Sequence, residues 1–120
     1  STDRGESWGP PIPRRDIPMP YAGLATVRRL PTTGDLVFIW IAEKSVDKQD
    51  PQIARRCGLA AAISTDEGET LGPLHYIARD PEEDYGYQAV EFLPDHTVLV
   101  AYHARDGLHV ARIAPEWFYK

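Results

Sequence analysis

The chain has 120 residues, of which 42% are hydrophobic and 26% charged, with a net charge of −5 and one cysteine. That length and balance fit one globular domain. The acidic charge leaves no basic footprint for nucleic acid, the apolar runs are too short to cross a bilayer, no signal peptide is present, and a lone Cys57 excludes an internal disulfide.

The chain opens on the octet Ser1-Thr2-Asp3-Arg4-Gly5-Glu6-Ser7-Trp8, followed by Gly9-Pro10. Ser and Asp side chains can accept bonds from nearby backbone N–H groups and fold a compact turn. Gly5 can supply the positive φ such a turn requires. Trp8 is then free to drop back onto a core. Because the first residue already lies inside this motif, the chain reads as a piece of a longer protein. Residues 9 to 20 hold five prolines, so they form neither a central strand nor a helix interior. With Ile12, Ile17 and Met19 available to pack, they read as an ordered connector.

Strands follow. Leu24 to Leu30 and the apolar run Leu36 to Ala42 flank a turn at Pro31-Thr32-Thr33-Gly34-Asp35. Glu43 to Ala54 reads as a polar loop. A third strand runs through Leu59-Ala60-Ala61-Ala62-Ile63 into Ser64-Thr65-Asp66-Glu67-Gly68-Glu69-Thr70-Leu71 and Gly72-Pro73, a near-copy of the opening octet. Two copies point to a repeat architecture. Calcium is not their ligand, because the D-x-[DN]-x-[DN]-G order is absent. A fourth strand covers Leu74 to Ile77. Arg79 to Asp84 reads as a solvated acidic loop. Three more strands are expected at Tyr87 to Leu93, Thr97 to Ala104 and Leu108 to Ile113, before Pro115 and the aromatic tail Trp117-Phe118-Tyr119. Helix-period patterning is absent. Continuous apolar runs predict burial on both sheet faces. Cys57, beside a strand, is expected as a small buried apolar residue.

The paired octets resemble the Asp box (BNR repeat) of the sialidases and their relatives. The second copy differs at Leu71, where Trp is usual. The resemblance implies an all-β fold: about two blades of a six-bladed sialidase-like β-propeller, in its C-terminal portion. Residues 1–20 would end a preceding blade and connect onward. Residues 21–79 would form one four-stranded blade with its Asp box at 64–71. Strands of the last blade would occupy 85–114, and 115–120 the aromatic tail. The box is a structural turn in that family, set away from the catalytic centre. Secretion or a periplasmic location is also implied. Cut from its ring, such a pair of blades would expose an apolar patch and self-associate.

The resemblance also assigns candidate residues. Arg56, in Arg56-Cys57-Gly58-Leu59, matches the third arginine of the triad that binds the carboxylate of sialic acid; Arg55 is the alternative register. A guanidinium suits the task through two parallel charge-assisted bonds. Tyr87, in Tyr85-Gly86-Tyr87-Gln88, matches the catalytic tyrosine. A phenol deprotonated by a neighbouring base avoids the repulsion a carboxylate nucleophile would meet from the substrate's own carboxylate. His103, in Val100-Ala101-Tyr102-His103, stands where the family places a glutamate that orients an arginine, so it counts as a substrate-site residue that departs from the pattern. The first two arginines, the aspartate acid/base and the activating glutamate are not found in the chain.

No cofactor is implied. The four histidines lack metal spacing; His103 and His109 are placed to face each other on paired strands, but two do not make a zinc site. Three readings follow. One is the C-terminal part of a sialidase or sialidase-like exo-glycosidase acting on terminal acidic sugars, inactive by itself. Another is a non-catalytic propeller binding glycan or protein. In the third, a structural blade pair closes into a ring with other copies of the chain. The partners implied are a sialoside-like carbohydrate and the rest of a propeller, or further copies.

Overall fold

A computed structural model describes residues 1–20 and 23–120. Seven strands form two antiparallel sheets. The first sheet runs in the order β1 (Thr26–Arg29), β2 (Leu36–Val46), β3 (Ala54–Ser64), β4 (His75–Arg79). The second runs β5 (Gly86–Phe92), β6 (Val98–Ala104), β7 (Gly107–Ile113). Neither closes into a barrel; each is a propeller-like blade in which sequential strands are neighbours. The expected start of the first blade at residue 21 falls on Tyr21, which lies outside the described residues. Among the described residues no helix is long and apolar enough to cross a membrane.

The first sheet owes its place to apolar residues on both sides. Register pairs Val37 with Ile63, Ile39 with Ala61 and Ile41 with Leu59. These face the second sheet and meet Val90, Val98, Val100 and Ile113 in one core. Fully burying a side chain such as Leu59 or Ile39 contributes about 1.5–3 kcal/mol. On the opposite face Trp40, Ala42, Ala60 and Ala62 pack under Ile17, Leu71 and Leu74. There the Trp40 indole N–H donates to the Pro18 carbonyl at 2.7 Å. Of the proline-rich segment, residues 14–18 lie against this face. Only Ile17 packs, however; Ile12 and Met19 remain exposed.

Burial on both faces does not extend to the second sheet. In β5 burial alternates strictly from Gly86 to Glu91, and Leu108 and Val110 of β7 are 74% and 58% exposed. One face is core and the other is open. His103 and His109 do not face each other either. His103 pairs with Leu108 and His109 with Tyr102, on whose ring it stacks at 5.5 Å.

Both octets fold to the same bond pattern. Ser1 and Ser64 each bond their Asp at 2.8 Å, and each accepts from a glycine N–H, Gly5 or Gly68, at 2.8 Å. Asp3 accepts from the Ser7 N–H at 2.9 Å and Asp66 from the Thr70 N–H at 2.8 Å. Both glycines have φ near +90°. The Ser7 and Thr70 hydroxyls also donate to these carboxylates, at 2.5 and 2.6 Å, and with the backbone and Ser1 or Ser64 bonds they draw both aspartates down to about pKa 2. Leu71 drops onto the core as expected, but Trp8 does not. It is 76% exposed and folds back to bond the Gly5 carbonyl.

Several elements are longer or different from expectation: β3 already starts at Ala54, and β4 runs on to Arg79, which was expected in the acidic loop. Glu43 to Val46 extend β2 rather than starting a loop, because cross-strand pairs hold them: Glu43 with Arg79 at 2.7 Å, and Asp47, just beyond, with Arg55 at 2.9 Å. The aromatic tail forms a short 3-10 helix, Pro115–Tyr119, with proline in its first turn. Phe118 is buried in the core, and the Tyr119 hydroxyl bonds Asp35 in the β1–β2 turn at 2.6 Å. The helix therefore ties the end of β7 to the first sheet.

Candidate functional site

Antiparallel order brings the start of β3, the start of β5, the end of β2 and the end of β6 to one end of the blades. The octet at 64–71 follows β3 at the other end. Arg56, Gly86, Tyr87, Gly23, Leu24 and Ile41 line one cavity there, of about 340 Å³.

Arg56 is fixed from three directions. Its Nε and Nη2 donate to the two Asp84 carboxylate oxygens at 2.9 and 3.0 Å, and its backbone N–H donates to the same group at 2.9 Å. The Arg56 side chain is only 19% exposed. Its far side stands over Gly86, where an added Cβ would lie 2.8 Å from Nη1. The Tyr87 ring takes up a third side, with its centroid 5.6 Å from the guanidinium carbon. The Asp84 bonds hold Arg56 above its ordinary pKa against desolvation, and Arg56 in turn holds Asp84 below the usual carboxylate range. Side-on pairing with Asp84 uses Nε and Nη2; among the described residues Nη1 bonds no carboxylate or carbonyl, and Tyr87 lies beside it.

Tyr87 has φ +52°, in the left-handed region, where a bulge interrupts the β5–β6 ladder between Gly86 and Ala89. A bulky residue there costs about 1–3 kcal/mol and persists only where its surroundings enforce it. The next residue supplies that enforcement. Gln88 is buried, and its amide nitrogen donates to the Leu24 carbonyl and, at 3.2 Å, to Ile39. Tyr87 itself is 70% exposed, edge-on to His103 with ring centroids 6.4 Å apart.

The three expected residues therefore cluster, in the order Arg56, Tyr87, His103. Arg55, the alternative register, goes elsewhere, to Asp47. His103 approaches the tyrosine and makes no hydrogen bond to Arg56. The guanidinium anchor is instead Asp84, which the sequence reading placed in a solvated turn. Gly86 was also missed as the opening that admits the guanidinium. The Asp-x-Gly-Tyr spacing of residues 84–87 is the only sequence signal for either. Cys57 is buried and burial pushes its thiol pKa up, which suits an inert packing residue. Among the described residues no group of three or more His, Cys, Asp or Glu gathers as for a metal ion.

Comparison with family models, with curated proteins and with solved structures returns no match.

Proposed function

We propose that the chain supplies blades of a sialidase-like propeller that binds the terminal acidic sugar of a glycan, with Arg56 gripping the carboxylate and Tyr87 beside the ring. The observation that carries this reading is the Nη1 end of the Arg56 fork on a cavity wall shared with Tyr87, with the guanidinium already fixed by Asp84. A preorganised fork loses little entropy on meeting a carboxylate. Hydrolysis, with Tyr87 attacking the anomeric carbon, is the second reading. Its support is the strained Tyr87 backbone on the same wall. That chemistry also needs a base for the phenol and an acid for the leaving group. Among the described residues no carboxylate bonds the Tyr87 hydroxyl, so binding is the stronger reading.

Titration of the protein with N-acetylneuraminic acid and with its methyl ester, followed by calorimetry, tests the proposal. The acid should bind, the ester should not, and Arg56→Met should abolish the difference. Equal binding of acid and ester would sink the reading. The hydrolytic reading is tested on a longer protein that carries the remaining blades: if it cleaves a fluorogenic sialoside, Tyr87→Phe should abolish cleavage, and cleavage unchanged in that variant removes Tyr87 as nucleophile.

A further inference from the structure

Gly86 has two neighbours that bear on the site. Its missing side chain admits the Arg56 guanidinium, and register pairs it with His103 across the β5–β6 ladder. Opposite residues of an antiparallel pair have Cα atoms about 4.5–5.5 Å apart, so the histidine starts beside the residue that houses the arginine. Tyr87 meets both side chains. Its ring centroid lies 5.6 Å from the guanidinium carbon and 6.4 Å from the imidazole centroid. His103 is exposed and takes no part in an ion pair among the described residues, whereas His109 bonds Asp106 at 2.7 Å. The fixed charges around His103 give no net attraction for an anion. Arg56 on β3 is paired with Asp84 of the loop before β5. In the turn after β6, Arg105 donates its side chain to the Glu82 carbonyl at 2.9 Å and its backbone N–H to the Glu83 carboxylate at 3.0 Å. Leu108, opposite His103 on β7, is uncharged. The charges of Arg56 and Arg105 are therefore met by those of Asp84 and Glu83, and Glu82 and Asp106 add negative charge.

We infer that His103 sets the specificity of this site for an acidic sugar: its imidazolium supplies the positive charge that the Arg56–Asp84 pair lacks, so the carboxylate is held in acid and released as the imidazole loses its proton. This rests on the reading of Arg56 as the carboxylate grip. An imidazole is the side chain that ordinarily changes charge between pH 5 and 8, and a sugar carboxylate stays ionised throughout that interval. The Arg56–Asp84 pair keeps its charges as well, because each partner holds the other in its ionised form. The sign follows. An added positive charge attracts the carboxylate, so affinity rises as pH falls. A unit charge several ångströms from a carboxylate at an exposed site changes affinity about three- to tenfold. His109 serves as the internal comparison. It stacks on Tyr102, and residues 102 and 103 point to opposite faces of the sheet, so its charge lies on the side away from His103 and is met by Asp106.

Calorimetric titration with N-acetylneuraminic acid at pH 5 and pH 8 tests this on the parent protein, His103→Gln, His103→Lys and His109→Gln. The parent should bind about three- to tenfold more tightly at pH 5. His103→Gln should show the parent's pH 8 affinity at both values. His103→Lys, charged at both, should hold the parent's pH 5 affinity at pH 8. His109→Gln should keep the parental dependence. His103 is exposed, so these exchanges leave the core intact, and matching circular dichroism spectra check the fold. A parent affinity that is equal at the two pH values, a dependence that survives in His103→Gln, or a His103→Lys variant no tighter than the parent at pH 8 would each overturn the role of His103 and leave that of Arg56 standing. A parent that binds the acid at neither pH removes the Arg56 reading, and this inference with it.

Discussion

Replacing Asp84 with alanine isolates what holds Arg56. The carboxylate accepts three bonds, one from the Arg56 backbone N–H and two from its guanidinium. The backbone bond contributes about 1 kcal/mol. The ion pair is intermediate in burial, with side chains 19% and 38% exposed. Exposed pairs contribute about 0.2–1 kcal/mol, and breaking a buried one costs about 3–5 kcal/mol. A value of about 1.5 kcal/mol lies between these limits. Asp84→Ala should therefore cost about 2.5 kcal/mol in all. In an Arg56→Met background only the backbone bond remains to be lost, so the same change should cost about 1 kcal/mol. The difference is the coupling energy of the pair. Urea denaturation of the four proteins, followed by the fluorescence of buried Trp40, measures it. A coupling below about 0.3 kcal/mol would mean that Asp84 does not hold the guanidinium.

Other perturbations follow from the same contacts. Gly58→Ala would put a Cβ 2.7 Å from the Glu43 Cβ and 2.8 Å from the Tyr76 ring; neither can swing away as the end of a long chain could, so thermal melting should show a loss of about 1–3 kcal/mol. Leu59→Ala, at a fully buried position, should cost about 2–5 kcal/mol by the same assay. Asp66 has its folded pKa depressed from 3.8 to about 2, so its contribution is complete above 3.8 and is lost as pH falls toward 2. Melting temperature against pH should show that loss in the parent protein and a shallower acid limb in Asp66→Ala. Gly86→Ala, whose Cβ would displace the Arg56 guanidinium, should weaken N-acetylneuraminic acid binding at least about tenfold in calorimetry, the loss of one charge-assisted bond.

Most of the fold was legible because it follows from local chemistry. The octets announce their turns through Ser, Asp and Gly at fixed offsets, and both copies fold with matching bonds. The apolar run at 36–42 can satisfy only a strand with two covered faces. What escaped the sequence reading depends on partners far along the chain. Glu43 looks like loop until Arg79, 36 residues away, is set opposite it. Asp84 looks solvated until Arg56, 28 residues away, turns toward it. The second sheet deceived for the same reason: β6 is apolar on both sides, but a face is covered only if something packs there.

These misses share a physical cause that bears on the site. An arginine followed at a distance by a tyrosine is common and specifies nothing alone. What distinguishes Arg56 is that the chain uses an acid, a missing Cβ and an aromatic ring to fix one guanidinium while giving its Nη1 no carboxylate or carbonyl partner among the described residues. Arg55, one residue away, has a carboxylate partner too, Asp47, but no glycine opening and no facing ring. A surface ion pair needs only the partner, because its residual N–H groups find water. The extra cost accepted at position 87, a tyrosine held at φ +52°, is spent on the ring beside Arg56 and serves no packing, since that ring is 70% exposed. Arg4, Glu67 and His96 also hold left-handed backbone, but in turns and loops; Tyr87 holds it inside a strand, at the bulge that sets its ring beside Arg56.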